Sequence, residues 1–301
     1  MNGYLAAAVA VLIAASYPVA TRAALTGSFS PQELVTLRFG VGALLFLPYL
    51  VMHFRGISRQ AWLRGVPLTL FQGAGVGALV ICGLQFAPAS HQAALGPGVV
   101  PAWVALLGFL VFARRPPARI VVGAGLCAVG VLALTLSSGA SENLAALAGD
   151  AMFLAASALA ALYVLQLRNW GLSAIQAAAI VTVYSAAVVV PWYLWSSSEP
   201  LWRVTPRELV WQIVWQGVLT ACVSLVALNH AVSRLGAERT SALVALVPVL
   251  SAMLAAAFLG ETPSAAEIAA ILAVSLGVSI SAFRGYGGRP ASTNASMSRA
   301  A

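Results

Sequence analysis

A few polar and aromatic side chains interrupt long apolar stretches of this chain, and they are of the types that bind small molecules. Gln72 and Gln216 lie 144 positions apart, and Gly73 and Gly217 follow them. Amide groups can hydrogen-bond a polar ligand while a ring such as that of Trp215 covers its apolar part. These side chains could instead tie helices together. The repetition of the Gln-Gly pair favours a ligand cavity.

Further candidates follow one helical stripe of the apolar stretch 91–112. Gln92 and Trp103 fall on this stripe, where Trp103 could stack on a flat ligand or simply pack against another helix. Tyr17 and Tyr163 lie 146 positions apart and are predicted to occupy equivalent places in the cavity.

Charged and titratable side chains are rare in the apolar stretches. Arg38 lies about two turns inside a stretch, where a charge is expensive and must face protein or water. It could attract a carboxylate in a vestibule, extend to the membrane surface, or bond a backbone carbonyl, and we favour a structural role. His91 and His230 could titrate and couple binding to protons, or could be hydrogen-bonded structural histidines. The acidic residues all fall at the ends of the stretches or between them, which argues against a carboxylate-based antiport of organic cations.

Three prolines lie within apolar stretches, namely Pro18, Pro101 and Pro248. Proline removes one hydrogen bond from a helix and so permits bending. These prolines are candidates for gating positions, although proline is also simply tolerated in such helices.

The composition indicates a membrane protein. The chain has 301 residues, of which 61% are hydrophobic and 8% charged, whereas a soluble domain carries roughly 25% charged residues. No soluble class fits, and the three cysteines, which all lie in apolar stretches, are predicted to be packing residues. We predict an all-α polytopic protein with ten spans, at 3–22, 33–52, 65–86, 91–112, 118–136, 149–167, 174–195, 209–232, 240–259 and 265–283.

The arginines predict the orientation in the membrane. All 16 cationic residues are Arg. With the N-terminus in the cytoplasm, twelve fall on the cytoplasmic side, three fall on the outer side and Arg38 lies inside a span. This bias places both termini in the cytoplasm, and the polar, Gly/Ser-rich tail at 284–301 is predicted to be disordered.

The chain repeats itself. Pro101 and Gly130 recur as Pro248 and Gly277, each 147 positions later. Five spans per half is an odd number, so the second half enters the membrane upside down. We predict two inverted five-helix repeats, 1–140 and 141–283, which is a transporter architecture with its site near the midplane.

Three segments carry a family resemblance. Residues 30–50, which include Arg38, 87–116, and above all 235–278 with Gly260-Glu261 resemble EamA-type drug/metabolite transporters. The chain departs from the family pattern at Arg114 and at Ser16-Tyr17-Pro18. Within the family, its overall similarity is to a bacterial exporter of aromatic amino acids.

The resemblance implies a secondary transporter in the bacterial inner membrane. We expect it to export small metabolites, aromatic or other neutral amino acids first, by alternating access and by facilitated diffusion without a coupling ion. The alternative is a proton-coupled exporter of drugs or of other metabolites such as threonine-like amino acids. A membrane-embedded enzyme is a remote alternative, because no catalytic cluster is apparent. No cofactor, metal or nucleic acid is expected, and the protein could be a monomer or a homodimer.

Overall fold

The computed structural model describes residues 2–113, 116–137, 144–170, 172–197 and 201–282. Ten helical segments in these ranges are long and apolar enough to cross a membrane, which confirms the ten predicted spans. They are Gly3–Thr26, Pro31–Gly56, Arg59–Phe86, Ala89–Val111, Ala118–Leu136, Leu144–Leu167, Ala174–Ser196, Pro206–Leu235, Arg239–Leu259 and Ala265–Ala282. The predicted tail at 284–301 lies outside the described residues.

Six spans are built on one helix and four are interrupted. The uninterrupted helices are α1 (Gly3–Thr26), α2 (Pro31–His53), α7 (Ala118–Ser137), α8 (Leu144–Trp170), α9 (Ala174–Ser196) and α14 (Ala265–Ala282). The third span divides into α3 (Arg59–Gln72) and α4 (Ala74–Phe86), the fourth into α5 (Ala89–Leu95) and α6 (Val100–Phe112), and the ninth into α12 (Ala237–Val244) and α13 (Val247–Leu259). The eighth span consists of α10 (Pro206–Gln212), a π-helix (Ile213–Val223) and α11 (Ser224–Leu235).

Capping side chains set where several spans begin. Ser30 and Glu33 form a capping box at the start of α2, and Thr205 and Glu208 form another at the start of α10. Each box satisfies backbone N–H groups that a helix start leaves unpaired. The second span therefore begins two residues, and the eighth span three residues, before the start predicted from the apolar stretch.

The helix packing has the symmetry of an inverted repeat. The second span packs on the seventh, the fourth on the ninth and the fifth on the tenth, so each of these pairs joins equivalent spans of the two halves. The first span packs on the eighth, and the third packs on the sixth. The first span is equivalent to the sixth and the third to the eighth, so the repeat also relates these last two contacts to each other. Since each half has five spans, equivalent spans run in opposite directions across the membrane.

The pair α7 and α14 packs through small residues. A Cβ atom on Gly277 would lie 2.6 Å from both Cys127 Sγ and the Gly123 carbonyl oxygen, so only glycine permits this approach. Gly277 and Ser281 of α14 therefore pack against α7 within one chain. Ala269, two turns before Gly277 on α14, is exposed.

Large apolar side chains cover the outside of the bundle. Leu44, Met52, Trp195 and Phe258 are among those that are mostly exposed. Such a surface suits a lipid environment. The protein is thus a multi-pass helical membrane protein.

Candidate functional site

The third span breaks at Gly73, one of the predicted site residues. Gly73 has φ −95° and ψ −126° and separates α3 from α4. A Cβ atom there would clash with Ser185 Oγ on α9. Ser185 Oγ also accepts a hydrogen bond of 3.0 Å from the Ala74 N–H, which the break leaves without a partner in the helix. Gln72 ends α3 with an exposed side chain.

The fourth and ninth spans break at equivalent positions. Val99 and Leu246 precede α6 and α13, respectively, and they lie 147 positions apart. Pro101 and Pro248 are the second residues of these helices, where a backbone N–H has no partner within the helix. Two of the three predicted gating prolines, Pro101 and Pro248, therefore follow a break.

The π-helix of the eighth span turns Gln216 inward. Gln216 is fully buried, and its Nε2 donates a hydrogen bond of 2.9 Å to Thr21 Oγ1 on α1. Gln216 Oε1 and Trp215 Nε1 are buried and have no hydrogen-bond partner among the described residues. Trp211 stacks on Trp215 with ring centroids 5.0 Å apart. π-Helical turns often occur at functional sites, and this one brings a polar side chain to the first span.

Tyr17 and Arg38 meet between the first and second spans. The Arg38 guanidinium carbon lies 4.8 Å from the centroid of the Tyr17 ring and 5.9 Å from that of Phe39. Tyr17 is 7% exposed, and its hydroxyl has no partner among the described residues. Its symmetry mate, Tyr163, packs against a cluster that contains Leu68 and Val181.

The two predicted residues of the fourth span occupy different surroundings. Gln92 is buried in α5. Trp103 Nε1 donates a hydrogen bond of 3.0 Å to Ser157 Oγ on α8, which fixes the orientation of the indole ring. Ser157, like Ser185 and Thr21, was not predicted from the sequence. A polar residue within an apolar span was the only signal that could have identified it.

Charged groups converge at the end of the bundle where α1 finishes, which we call the Arg22 end. Arg22 Nε forms an ion pair with Glu261 Oε1. Arg22 Nη1 donates to the carbonyl oxygens of Leu84 and Ala87 at 2.7 and 2.6 Å, and Glu261 Oε2 accepts from the Ala89 N–H at 3.0 Å. These contacts hold the first, third, fourth and ninth spans together at this end.

His91 extends this network to two more spans. Its Nδ1 lies 2.9 Å from Asp150 Oδ1 on α8, and its Nε2 lies 3.4 Å from Glu267 Oε1 on α14. His91 is 1% exposed. The two carboxylates contact opposite sides of the ring, and in the described part of the chain no group of three or more His, Cys, Asp or Glu could hold a metal ion.

Two predicted residues lie away from these clusters. His230 is on α11, one turn before Arg234, which contacts Gly3 at the opposite end of the bundle. Pro18 lies within α1, which continues unbroken through it. The structure therefore brings Tyr17 near Arg38 and to the same face of α1 as Thr21, the partner of Gln216. His91 and His230 lie in other surroundings, His91 at the Arg22 end and His230 toward the opposite end.

A cavity of about 1120 Å³ opens beside the first and eighth spans. Ala20, Phe29, Thr205, Trp211 and Gln212 are among its lining residues. The predicted binding residues do not line it, although Gln212 lies 3.4 Å from Gln216.

Comparisons with known proteins agree with this architecture. The model of the EamA-like transporter family matches residues 1–136 and 147–283. A crystal structure with 19% sequence identity covers 93% of this chain and 96% of its own, with a TM-score of 0.59, and thus has the same fold. None of the curated proteins matches. Two matched segments that together span nearly the whole chain show that this protein belongs to the EamA-like transporter family.

Proposed function

We propose that this protein exports small neutral amino acids, aromatic ones first, across a bacterial inner membrane by alternating access. The observation that carries the proposal is the matched set of interruptions in the third, fourth, eighth and ninth spans. Interrupted helices at the interface between inverted repeats free backbone groups to contact a substrate and let the halves rock around it. Membrane transport of small substrates is also what the family does.

The contacts at the Arg22 end support the rocking mechanism. The pairs of Arg22 with Glu261 and of His91 with Asp150 each join two spans, so a substrate can leave at this end only when they separate. We propose that both termini lie in the cytoplasm, as the arginine bias predicts, which makes the Arg22 end the outer one. The closed arrangement is then the one that loads from the cytoplasm.

The chemistry of the inward-facing side chains favours a neutral substrate with a flat apolar part. Tyr17, Trp103, Tyr163 and Trp215 supply rings from both halves, and Gln216 supplies an amide. Three carboxylates of the described bundle lie at span ends and bind Arg, His or backbone N–H groups, namely Glu33, Asp150 and Glu261. An organic cation would find no free carboxylate among them, so we propose facilitated diffusion of neutral amino acids.

One observation favours a second candidate, a proton-coupled exporter of drugs or other metabolites. His91 of the first half lies between two carboxylates of the second half, Asp150 and Glu267, at the end that must open. Loss or gain of a proton there would change the attraction between three spans.

The test uses purified protein in liposomes loaded with labelled phenylalanine, tryptophan or threonine, with and without a pH gradient. Saturable efflux of the aromatic amino acids that a gradient changes little is the expected result. Efflux only with a gradient supports the proton-coupled candidate, and a His91→Gln variant would then lose the gradient effect. Folded protein that releases none of the three amino acids contradicts the amino-acid proposal.

A further inference from the structure

Arg38 is a cation without a counter-charge inside the bundle. Among the described residues no carboxylate lies within 4.0 Å of its guanidinium, and no hydrogen bond links it to a backbone carbonyl. Three other arginines of the described bundle, Arg22, Arg64 and Arg203, bond carbonyl or carboxylate oxygens. The Arg38 guanidinium instead lies over the rings of Tyr17 and Phe39.

The guanidinium does not extend to the membrane surface. It lies over Tyr17, whose Cα is nine residues before the end of α1, or about 13 Å along the helix. A tyrosine side chain in a helix leans toward the N-terminus, which places its ring deeper still. A cation held at that depth is stable only beside water or an anion.

The fold does not require a cation at this place, because the second half carries an aliphatic residue at the equivalent position. The offset of 143 that relates Pro48 to Pro191 relates Arg38 to Val181. Val181 is buried in a cluster against which Tyr163, the mate of Tyr17, packs. A tyrosine beside an aliphatic residue is thus sufficient to pack these spans, and the charge of Arg38 is left for another role.

Two buried polar groups on the neighbouring elements have no hydrogen-bond partner among the described residues. They are the hydroxyl of Tyr17, whose ring lies against the guanidinium, and Gln216 Oε1 on the π-helix, which packs on α2. Gln216 reaches this region because its Nε2 bonds Thr21, which is one turn beyond Tyr17 on the same face of α1. A cation and a hydroxyl donor suit a carboxylate, while a free amide oxygen suits an ammonium group.

We infer that Arg38, Tyr17 and Gln216 form a binding site for the zwitterionic end of an α-amino acid. Arg38 and the Tyr17 hydroxyl bind the carboxylate, and Gln216 Oε1 accepts a hydrogen bond from the ammonium group. The inference rests on the proposed function and specifies its substrate as a zwitterion. It also predicts that an amine lacking the carboxylate is a poor ligand.

The test measures binding of labelled phenylalanine to purified protein in competition with phenylethylamine, which lacks the carboxylate, and 3-phenylpropionate, which lacks the ammonium group. Wild-type protein should prefer phenylalanine to phenylethylamine by about tenfold to a hundredfold, the range expected for hydrogen bonds to charged groups. Arg38→Met should abolish this preference, and Arg38→Lys should retain part of it. Gln216→Leu should instead reduce the preference for phenylalanine over 3-phenylpropionate.

Val181→Ala is the matched control, because it alters the equivalent contact in the other half and should leave both preferences unchanged. Thermal melting of each variant checks its folding, and Arg38→Lys keeps the test valid if Arg38→Met does not fold. Wild-type protein that binds phenylalanine with no preference over phenylethylamine, or an Arg38→Met variant that keeps the preference, overturns this inference alone. Protein that neither binds nor releases any amino acid overturns the proposed function as well.

Discussion

His91 Nδ1 lies 2.9 Å from Asp150 Oδ1, and this contact joins the fourth span to the sixth across the two halves of the protein. Both side chains are almost completely buried, and Asp150 Oδ2 has no other partner among the described residues. A buried carboxylate that loses its partner is costly, typically by about 3–5 kcal/mol. If the Arg22 end opens as proposed, we expect this pair to influence how often it does so.

Replacing His91 with Leu should open this end more often, because Asp150 and Glu267 then lose their shared partner. The measurement is the rate of maleimide labelling at Ala89→Cys, a fully buried site at the same end, in a chain without its three native cysteines. Labelling should be at least several-fold faster in His91→Leu. The exposed His53 gives the control His53→Leu, which should label at the parental rate. Equal rates in both variants would show that other contacts close this end.

Replacing Gly277 with Ala should destabilise the protein by about 1–3 kcal/mol, since the added methyl group overpacks the interface of α7 and α14. A Cβ atom there would lie 2.6 Å from the Gly123 carbonyl oxygen. Gly125 on α7 has no atom within 4 Å of such a Cβ, so Gly125→Ala should be neutral or slightly stabilising. Thermal unfolding in detergent compares the two variants. A harmless Gly277→Ala would mean that α14 can shift away from α7 without cost.

Two equivalent helix ends differ in their residue and provide a test of backbone strain. Ala113 ends α6 with φ +50°, and Gly260, 147 positions later, ends α13 with φ +69°. A left-handed conformation costs a residue with a Cβ roughly 1–2 kcal/mol. Ala113→Gly should therefore raise the unfolding midpoint and Gly260→Ala should lower it, each by about 1 kcal/mol in stability. Shifts of the same sign in the two variants would contradict this.

The sequence predicts the spans well because apolar length and the 147-residue echo can be read directly from the order of residues along the chain. It predicts their ends less well. The sequence pattern predicts that the first span ends at Arg22, but α1 continues to Thr26. The Arg22 guanidinium is held there because it bonds the carbonyl oxygens of Leu84 and Ala87 at the end of α4. Such a partner on another span leaves no mark in the local pattern.

The candidate site is predictable only in part. The Gln-Gly pairs at 72 and 216 indicate the third and eighth spans, and both are interrupted there. Their surroundings differ, because a break exposes Gln72 whereas a π-helix buries Gln216. The hydrogen-bond register of a helix cannot be read from apolar periodicity. The partners of His91 are also hidden in the sequence, because Asp150 and Glu267 are 59 and 176 positions away.

We expect the break in the ninth span to depend on a single missing donor, the backbone N–H that Pro248 lacks. In Pro248→Ala a new backbone N–H at 248 can bond the Val244 carbonyl oxygen, four residues earlier, and join α12 to α13. Hydrogen exchange of residues 245–250 should slow several-fold in this variant.

Pro18→Ala is the control for the proline itself, because α1 already continues through Pro18 and exchange around it should change little. If exchange at 245–250 is the same in Pro248→Ala as in the parent, packing holds the break rather than the missing N–H. Val247, Ser251 and Ala255 of α13 are buried, and their contacts would then fix the direction in which α13 leaves the break.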